Sequence, residues 1–221
     1  MLKTTIMKIS KYSITLFVFI GLLLAGSGCE EKLNEPLENT IVAEETDYTQ
    51  TDNMISPLIG LYAEFYAMGW EKLPLVAVRG DDVNKGAQGD QQPFGDTDKF
   101  DYDENYWMYN SVWEGFYRGV FTANITIEEI EKYRKHADNK AKADQYIAEA
   151  KVLRAWYLFQ LSRVWGEIFI TEASDPSGLF NEELSSKDEV MQFISDQMDQ
   201  AVANLPDAHP NQRNDITGGV T

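Results

Sequence analysis

The sequence is poor in two residue types that are common in catalytic sites: it has 1 cysteine and 2 histidines in 221 residues. A single cysteine cannot form a disulfide within its own chain. His136 and His209 both lie in polar, charged stretches, which indicates surface positions rather than a catalytic triad. There is also no GxGxxG or other phosphate-binding loop. A catalytic pair of carboxylates, as in glycosidases, is an alternative that the sequence leaves open. With 36 acidic residues, however, the default interpretation of any carboxylate is a solvated surface group. We predict that the protein is not an enzyme.

Basic residues are scarce as well, with 19 against 36 acidic ones and a net charge of −17. All the acidic residues follow Cys29, whereas Lys3, Lys8 and Lys11 precede it. The part after Cys29 therefore has 16 basic and 36 acidic residues, a net charge of −20. Such a surface repels phosphate backbones and anionic headgroups, so we predict no nucleic acid partner and no attachment to membranes through charge.

Long hydrophobic runs are also missing, since the longest covers only residues 16–25. That length is short for a bilayer span, which makes an uncleaved membrane anchor the less favoured alternative. The run follows the three lysines and precedes Gly26, Ser27 and Gly28. A basic start, an apolar middle and small residues at the end predict a secretory signal peptide over residues 1–28.

The small residues before Cys29 resemble the lipobox of bacterial lipoproteins, in which the cysteine is lipidated and becomes the first mature residue. Gly26 stands where that motif usually has leucine. We predict lipid attachment at Cys29, because the several chains of a lipoprotein cysteine make a stable anchor. The acidic, polar residues 29–50 then form a tether between the lipid and a folded domain over residues 51–221.

Four segments of this domain have helical periodicity. The first helix starts at an Asp52 cap, and the others cover about 107–135, 139–165 and 186–205. The expected buried faces include Ile55, Leu58, Ile59, Tyr62, Phe65 and Tyr66 in the first helix, Val112, Phe116, Val120, Ala123, Ile127 and Ile130 in the second, and Met191, Ile194, Met198, Ala201 and Leu205 in the fourth. Such helices, joined by short turns, predict an all-α scaffold of helix pairs.

Particular residues refine these helices. Trp113, Tyr117 and Phe121 make a second stripe on the second helix, which predicts packing on two neighbours. The third helix is apolar round most of its circumference, which predicts a central position, and Gly166 ends it. A short extended piece follows at 167–171, and Ser186 opens a capping box before the fourth helix.

Residues 69–105 differ from the helical segments, with five glycines, two prolines and no helical period. A segment that long inside a compact domain is usually functional or disordered, and its aromatic ends argue against disorder. We therefore expect the binding site there.

Three helical segments carry a resemblance to a known family. "AEAKVLRAWYLFQLSRVWG" (148–166) resembles the alanine-rich, arginine- and aromatic-bearing helix of RagB/SusD family lipoproteins. "WEGFYRGVFTANITIEEI" (113–130) and "SSKDEVMQFISDQMDQAVANLP" (185–206) are similar to two further family segments, in the same order. The sequence departs from the family at Phe169, where proline is usual. It also stops at residue 221, where another scaffold helix is expected, so we interpret it as the N-terminal portion of a longer protein.

The resemblance implies a tetratricopeptide-like helical scaffold with long irregular binding loops. It implies an outer-membrane lipoprotein at the cell surface that captures glycans, or in some members peptides. It also implies delivery to a SusC-like TonB-dependent β-barrel transporter. The alternative interpretation is a helical-repeat lipoprotein that binds a peptide or protein partner.

The family has no fixed binding motif, so candidate residues follow from the chemistry of sugars. Trp70 and Trp107 offer aromatic faces, and Arg79, Asp81, Asp82 and Asn110 offer hydrogen bonds. The competing interpretation is that Trp107 and Tyr109 simply begin a buried helix, and we expect Trp113, Trp156 and Trp165 to be structural.

No cofactor is predicted. Asp101, Asp103 and Asn105 have the 1-3-5 spacing of a calcium loop, but Tyr106 and Val112 occupy the positions that need glycine and glutamate. An EF-hand is therefore excluded. A looser calcium site that uses Asp81, Asp82 or the carboxylates of 96–103 stays open.

If Cys29 carries the lipid, its replacement removes the anchor. We expect Cys29→Ala to move from the membrane pellet to the soluble fraction, and its N-terminal peptide to lack acyl mass in mass spectrometry. Ser27→Ala, which keeps both the thiol and a small residue, is the matched control and should stay in the pellet. An alanine variant that remains acylated and pelleted would contradict the assignment.

Overall fold

The computed structural model describes residues 46–69, 72–84, 92–101 and 105–221. The predicted signal peptide, Cys29, most of the predicted tether and Trp70 lie outside these ranges. Contacts divide the chain into the units Met1–Asp47 and Tyr48–Thr221, and the fold described here is that of the second unit. Within the described ranges, no helix has the length and apolar character needed to cross a membrane.

The described residues form six α-helices and no β-strand, so the all-α prediction is confirmed. The helices are α1 (Ser56–Ala67), α2 (Lys72–Ala77), α3 (Gln92–Asp98), α4 (Trp107–Arg134), α5 (Lys140–Trp165) and α6 (Lys187–Val202). Short 3-10 turns cover Thr51–Ile55, Pro176–Asn181 and Pro210–Gln212. The four helices predicted from periodicity correspond to α1, α4, α5 and α6.

Local signals set two helix ends as predicted. Gly166 ends α5 with φ of 80°, in the left-handed region that favours glycine. The capping box of α6 is present: the amide of Ser186 donates to the Glu189 carboxylate at 2.8 Å, and the Glu189 amide donates to Ser186 Oγ at 3.4 Å. The predicted cap at Asp52 is wrong, because Asp52 lies inside a 3-10 turn and α1 begins only at Ser56.

The helices α2 and α3 lie in the stretch that was predicted to be irregular. Each is held by a few buried residues: Leu75 and Val76 in α2, and Gly95 and Thr97 in α3. Pro93 in the first turn of α3 is compatible with a helix, because its missing N–H has no partner to lose there. Six or seven residues are too few for an apolar period to be visible in the sequence.

The helix α5 lies at the centre of the scaffold, in contact with α1, α4 and α6. Its buried residues are distributed round the helix, which confirms the central position predicted from its apolar circumference. It approaches α4 closely at Gly119, where a Cβ would lie 2.3 Å from the Tyr157 ring. Any larger residue at Gly119 would force the Tyr157 ring or one of the two helices to move. The helix α4 contacts both α1 and α5, as its two stripes predicted.

A charged side chain lies inside this scaffold. Arg154 of α5 is only 2% exposed. Its guanidinium donates to Asn124 Oδ1 of α4 at 2.7 Å, to the Glu172 carboxylate at 2.8 Å and to the Gln197 side-chain oxygen of α6. Burial lowers the pKa of Arg154, and the Glu172 carboxylate opposes that shift. One guanidinium therefore joins three helices.

Asn124 extends the same network to the chain that follows α5. Its Nδ2 donates to the carbonyl oxygens of Thr171 at 3.1 Å and Ala173 at 2.8 Å. Nearby, Ile168 makes a single antiparallel bridge with Ser185. The predicted extended piece is thus not part of a sheet among the described residues, and hydrogen bonds from helix side chains hold its end in place.

A second buried arginine fixes the end of the chain. Both Nη atoms of Arg213 donate to the Glu149 carboxylate of α5 at 2.7 Å, and the two side chains are 2% and 0% exposed. The Tyr62 hydroxyl of α1 donates to the same carboxylate at 2.6 Å and accepts from the Val220 amide at 2.7 Å. A bidentate ion pair of this kind holds the C-terminal segment against α1 and α5.

Three residues of the predicted apolar faces are exposed instead. Ile59 and Tyr66 of α1 are 51% and 86% exposed, and Met198 of α6 is 37% exposed. In the sequence, the apolar stripe of α1 is wide. Neighbouring elements cover only the side of the helix that carries Leu58 and Leu61. The fourth helix also ends at Val202, before the predicted Leu205.

We expect Asn124→Ala to destabilise the fold by about 2–4 kcal/mol, because it leaves the buried guanidinium and the carbonyl of Thr171 short of partners and removes the bond to Ala173. Chemical denaturation followed by circular dichroism measures this difference. The matched control is Asn204→Ala, an exposed asparagine that should change stability by less than about 0.5 kcal/mol. Equal stabilities for the two variants would contradict the importance of the network.

Candidate functional site

A cavity of about 930 Å³ opens where α2, α3, the start of α4 and the end of α5 meet. It is lined by Leu75, Val76, Arg79, Thr97, Asn105, Tyr109, Asn110, Val112, Val164 and Trp165. Its volume lies within the range of small-molecule sites, and its lining combines apolar walls with a few polar groups. We take it as the candidate binding site.

Helix ends bring these residues together. The end of α5 places Val164 and Trp165 on one wall, and the first turns of α4 place Tyr109 and Asn110 on another. Arg79 follows the end of α2 and is exposed at the cavity. Because the lining residues lie up to 90 positions apart in the sequence, only the packing of the helices creates the site.

Hydrogen bonds fix α3 against the start of α4. Thr97 Oγ1 donates to the Pro93 carbonyl at 2.6 Å and lies 2.8 Å from the Tyr109 hydroxyl. The Tyr106 hydroxyl donates to the Asp96 carboxylate at 2.6 Å. Two tyrosines of one segment are thus tied to the short helix, and the ring of Tyr109 is held in a fixed orientation at the cavity.

Aromatic contacts fix the other walls. The Trp165 ring meets the Trp113 ring edge-on, with centroids 5.0 Å apart. The guanidinium of Arg79 lies over the Phe100 ring, 5.9 Å from its centroid. Phe100 itself has φ of 58°, a conformation that phenylalanine rarely adopts, just after α3. The edge-on contact orients Trp165 before any ligand arrives, whereas Arg79 is exposed and rests on a Phe100 ring that is itself 59% exposed.

The structure brings two of the predicted site residues into the cavity, namely Arg79 and Asn110. Trp107 is 61% exposed and lines a narrow crevice beside the cavity, which shares Leu75 and Val112 with it. Asp81 and Asp82 are exposed and do not line the cavity, and Trp70 lies outside the described residues. The binding roles of all six residues stay predictions.

Sequence reasoning missed Trp165, Tyr109, Thr97 and Asn105 as cavity residues. Trp165 has core spacing on α5 and is expected from the sequence to be structural, whereas the start of a buried helix is one of two competing interpretations for Tyr109. A signal was available for Trp165, since it is the last residue before the glycine that ends α5. Residues at helix ends border open space more often than residues in the middle.

The described residues contain no group of three or more histidine, cysteine, aspartate or glutamate side chains placed to hold a metal ion. In the stretch considered for calcium, Asp96 accepts a hydrogen bond from the Tyr106 hydroxyl, while Asp103 lies outside the described ranges. His136 and His209 are exposed, as predicted.

The sequence of this chain is similar to those of known proteins. Residues 46–214 match the SusD-like sequence family that is described as "Starch-binding associating with outer membrane". A SusD-like protein of Bacteroides ovatus is 33% identical over 106 residues, which are 47% of this chain and 18% of that protein. SusD-like protein P2 of Formosa agariphila is 29% identical over 202 residues, which are 89% of this chain and 38% of that protein. The chain thus spans less than two fifths of either relative.

Solved structures show the same fold. A laminarin binding SusD-like protein has a TM-score of 0.62 and 22% identity, over 76% of this chain and 37% of that chain. A structure with a xylogluco-oligosaccharide has a TM-score of 0.57 and 22% identity, over 73% of this chain and 31% of that chain. A SusD homolog from Bacteroides thetaiotaomicron has a TM-score of 0.60 and 19% identity, over 75% and 32%. The predicted tetratricopeptide-like helical scaffold is confirmed.

Proposed function

This chain belongs to the SusD-like family, and from that premise we propose that it captures oligosaccharides at the cell surface without transforming them. The family's description as starch-binding and the ligands named for two structural neighbours, laminarin and a xylogluco-oligosaccharide, support a glycan ligand. A protein of this kind binds its ligand by contact alone, so the site needs shape and hydrogen-bonding groups rather than reactive ones.

The cavity is the observation that carries the proposal. Sugar rings present apolar C–H faces that stack on aromatic rings, and hydroxyl rims that bond to planar polar groups. Trp165 and Tyr109 supply rings on two walls, and Arg79, Asn105 and Asn110 supply polar groups between them. Because the tyrosine and tryptophan are already fixed by their neighbours, a sugar loses little affinity to the ordering of the site.

The same lining supports binding rather than hydrolysis. Retaining and inverting glycosidases both use a pair of carboxyl groups on either side of the scissile bond. None of the ten described residues that line the cavity is an aspartate or glutamate. Asp81 and Asp82 lie nearby in the sequence but are exposed to solvent outside it.

In this proposal the N-terminal segments bring the protein to the cell surface. Residues 1–28 direct export, Cys29 carries the lipid, residues 29–50 form the tether, and residues 51–221 form the N-terminal binding scaffold of the longer lipoprotein. The protein faces the exterior of the outer membrane and passes its ligand to a SusC-like TonB-dependent transporter. No cofactor takes part in this cycle.

We expect Arg79→Ala and Asn110→Ala each to weaken glycan binding about tenfold, or about 1.4 kcal/mol, because each removes a polar contact at the cavity. Affinity electrophoresis with a panel of soluble polysaccharides that includes laminarin and xyloglucan selects the ligand, and calorimetry gives the affinities. Trp107→Ala tests whether the exposed ring beside the cavity extends the site.

Arg163→Ala is the matched control for Arg79→Ala. Arg163 also lies over a phenylalanine ring, that of Phe159 at 5.6 Å, but on an exposed part of α5 that does not line the cavity. Its binding should equal that of the wild type. A wild-type protein that binds nothing in the panel would overturn glycan capture, and new reducing ends in the mixture would overturn the non-enzymatic role.

Handover to a transporter predicts a stable complex in the native membrane. We expect the native protein, extracted in mild detergent, to copurify with a TonB-dependent transporter in stoichiometric amount, as identified by mass spectrometry. A second lipoprotein of similar abundance, purified from the same extract, is the control for accidental recovery. Isolation of the protein alone would favour a free-standing surface binder.

A further inference from the structure

A second concave surface lies along α4, on the side that faces the segment after α5. This groove has a volume of about 1010 Å³. It is lined by Trp113, Glu114, Tyr117, Arg118, Phe121, Thr122 and Ile125 of α4, and by Phe169, Ser174, Asp175, Pro176, Ser177 and Glu182 of the following segment. Among the described residues, none lines both this groove and the candidate glycan cavity.

The aromatic floor of the groove is rigid. The Trp113 ring contacts those of Tyr117 and Phe169, with centroids 4.8 Å and 6.4 Å away. The Tyr117 hydroxyl donates to the Phe169 carbonyl at 3.0 Å and accepts from the Phe169 amide at 2.7 Å. Both sides of the floor are therefore locked together, and the groove exists without an occupant.

An apolar ridge runs along this floor. Tyr117, Phe121 and Ile125 follow one another at four-residue spacing on α4, and Ile125 is 45% exposed. Trp113, Tyr117 and Phe121 form the stripe for which the sequence predicts packing on a neighbouring element, and all three pack in or against the core. Ile125, at the end of the ridge, is left exposed. From Tyr117 to Ile125 the ridge extends about 12 Å, or just over two helical turns. That length suits a helix lying in a groove, which anchors through residues on successive turns.

Several of the polar groups round the groove are already bonded within the protein, although, within the described ranges, the carboxylates of Glu114 and Glu182 are not among them. Arg118 pairs with Glu64 at 2.8 Å, and the Ser174 hydroxyl donates to Glu128 at 2.7 Å. The Ser177 hydroxyl donates to Asp175 at 2.7 Å. A sugar needs many hydrogen-bonding groups, and most of those here are engaged elsewhere, so the groove suits an apolar occupant better than a glycan.

The charges at the rim of the groove indicate which kind of molecule it would bind. Glu114, Asp175 and Glu182 place three carboxylates round the groove. Among the described lining residues Arg118 is the one basic side chain, and it is paired with Glu64. We propose that this groove docks an amphipathic helix of a partner protein, whose apolar face is flanked by lysine or arginine side chains. The apolar face covers the α4 ridge, and the basic flanks meet the acidic rim.

Two labelled synthetic peptides of about 15 residues test the proposal by fluorescence anisotropy. Both have the same leucine face, with lysine on the flanks of one and glutamate on the flanks of the other. We expect the lysine peptide to bind at least about tenfold more tightly than the glutamate peptide. Ile125→Asp should weaken the lysine peptide about tenfold or more, because it buries a carboxylate against the leucine face.

The matched control is Tyr66→Asp, an exposed position of α1 away from the groove. Simple attraction to an acidic protein would make both aspartate variants bind the lysine peptide at least as tightly as the wild type, and that result overturns the proposal. Glu114→Lys should weaken the lysine peptide, whereas Asp199→Lys on the exposed face of α6 should leave it nearly unchanged.

Other occupants give different results. A dimer in analytical ultracentrifugation that Ile125→Asp abolishes would assign the groove to a second copy of the chain. Displacement of the lysine peptide by oligosaccharides of the polysaccharide panel would assign it to a glycan. Either result, or no binding of the lysine peptide by the wild-type protein, overturns the proposal. Circular dichroism confirms that each variant is folded before binding is measured.

Discussion

The structure depends on the buried guanidinium of Arg154. A charge in the interior is costly unless it has partners. The buried Nε of Arg154 has no hydrogen-bond partner among the described residues, but the two Nη atoms have partners on α4, α6 and the segment after α5. Those partners cannot be satisfied unless the three helices and the returning chain take one relative arrangement. The network therefore selects a single packing from the several that apolar surfaces alone would allow.

That arrangement determines where open surfaces form. Arg154 and Asn124 set the position of α5 against α4, which places the end of α5 beside the start of α4 and creates the cavity. The Asn124 amide holds the segment after α5 near the other half of α4, which creates the groove. The edge-on pair of Trp113 and Trp165 lies between the two surfaces, with one ring lining each. Both surfaces thus follow from one polar network.

Much of the scaffold was predictable because its signals are local. Each signal involves residues that lie close together in the sequence. They are the apolar periods of α4 and α5, the capping box at Ser186 and the glycine stop at Gly166. The helices α2 and α3 were not predictable, because they are too short to be stable by themselves. They depend on tertiary contacts, such as that of Thr97 in α3 with Tyr109. Ile59 and Tyr66 were expected inside because a period reveals an apolar stripe but not how much of it a neighbour covers.

At the candidate site, the contributions of the sequence and of the tertiary structure are easier to separate. The sequence by itself set apart the stretch before α4, which has no long helical period, as the place for a binding site, and it identified Arg79 in that stretch and Asn110 just after it as side chains with the chemistry to bind sugars. Only the tertiary structure decided that these two residues share a cavity with Trp165, that Asp81 and Asp82 stay outside it, and that the Phe121 stripe borders a groove. The reason is physical: local patterns fix which residues lie on one helix face, whereas a concave surface is made by the gaps between elements that are distant in sequence.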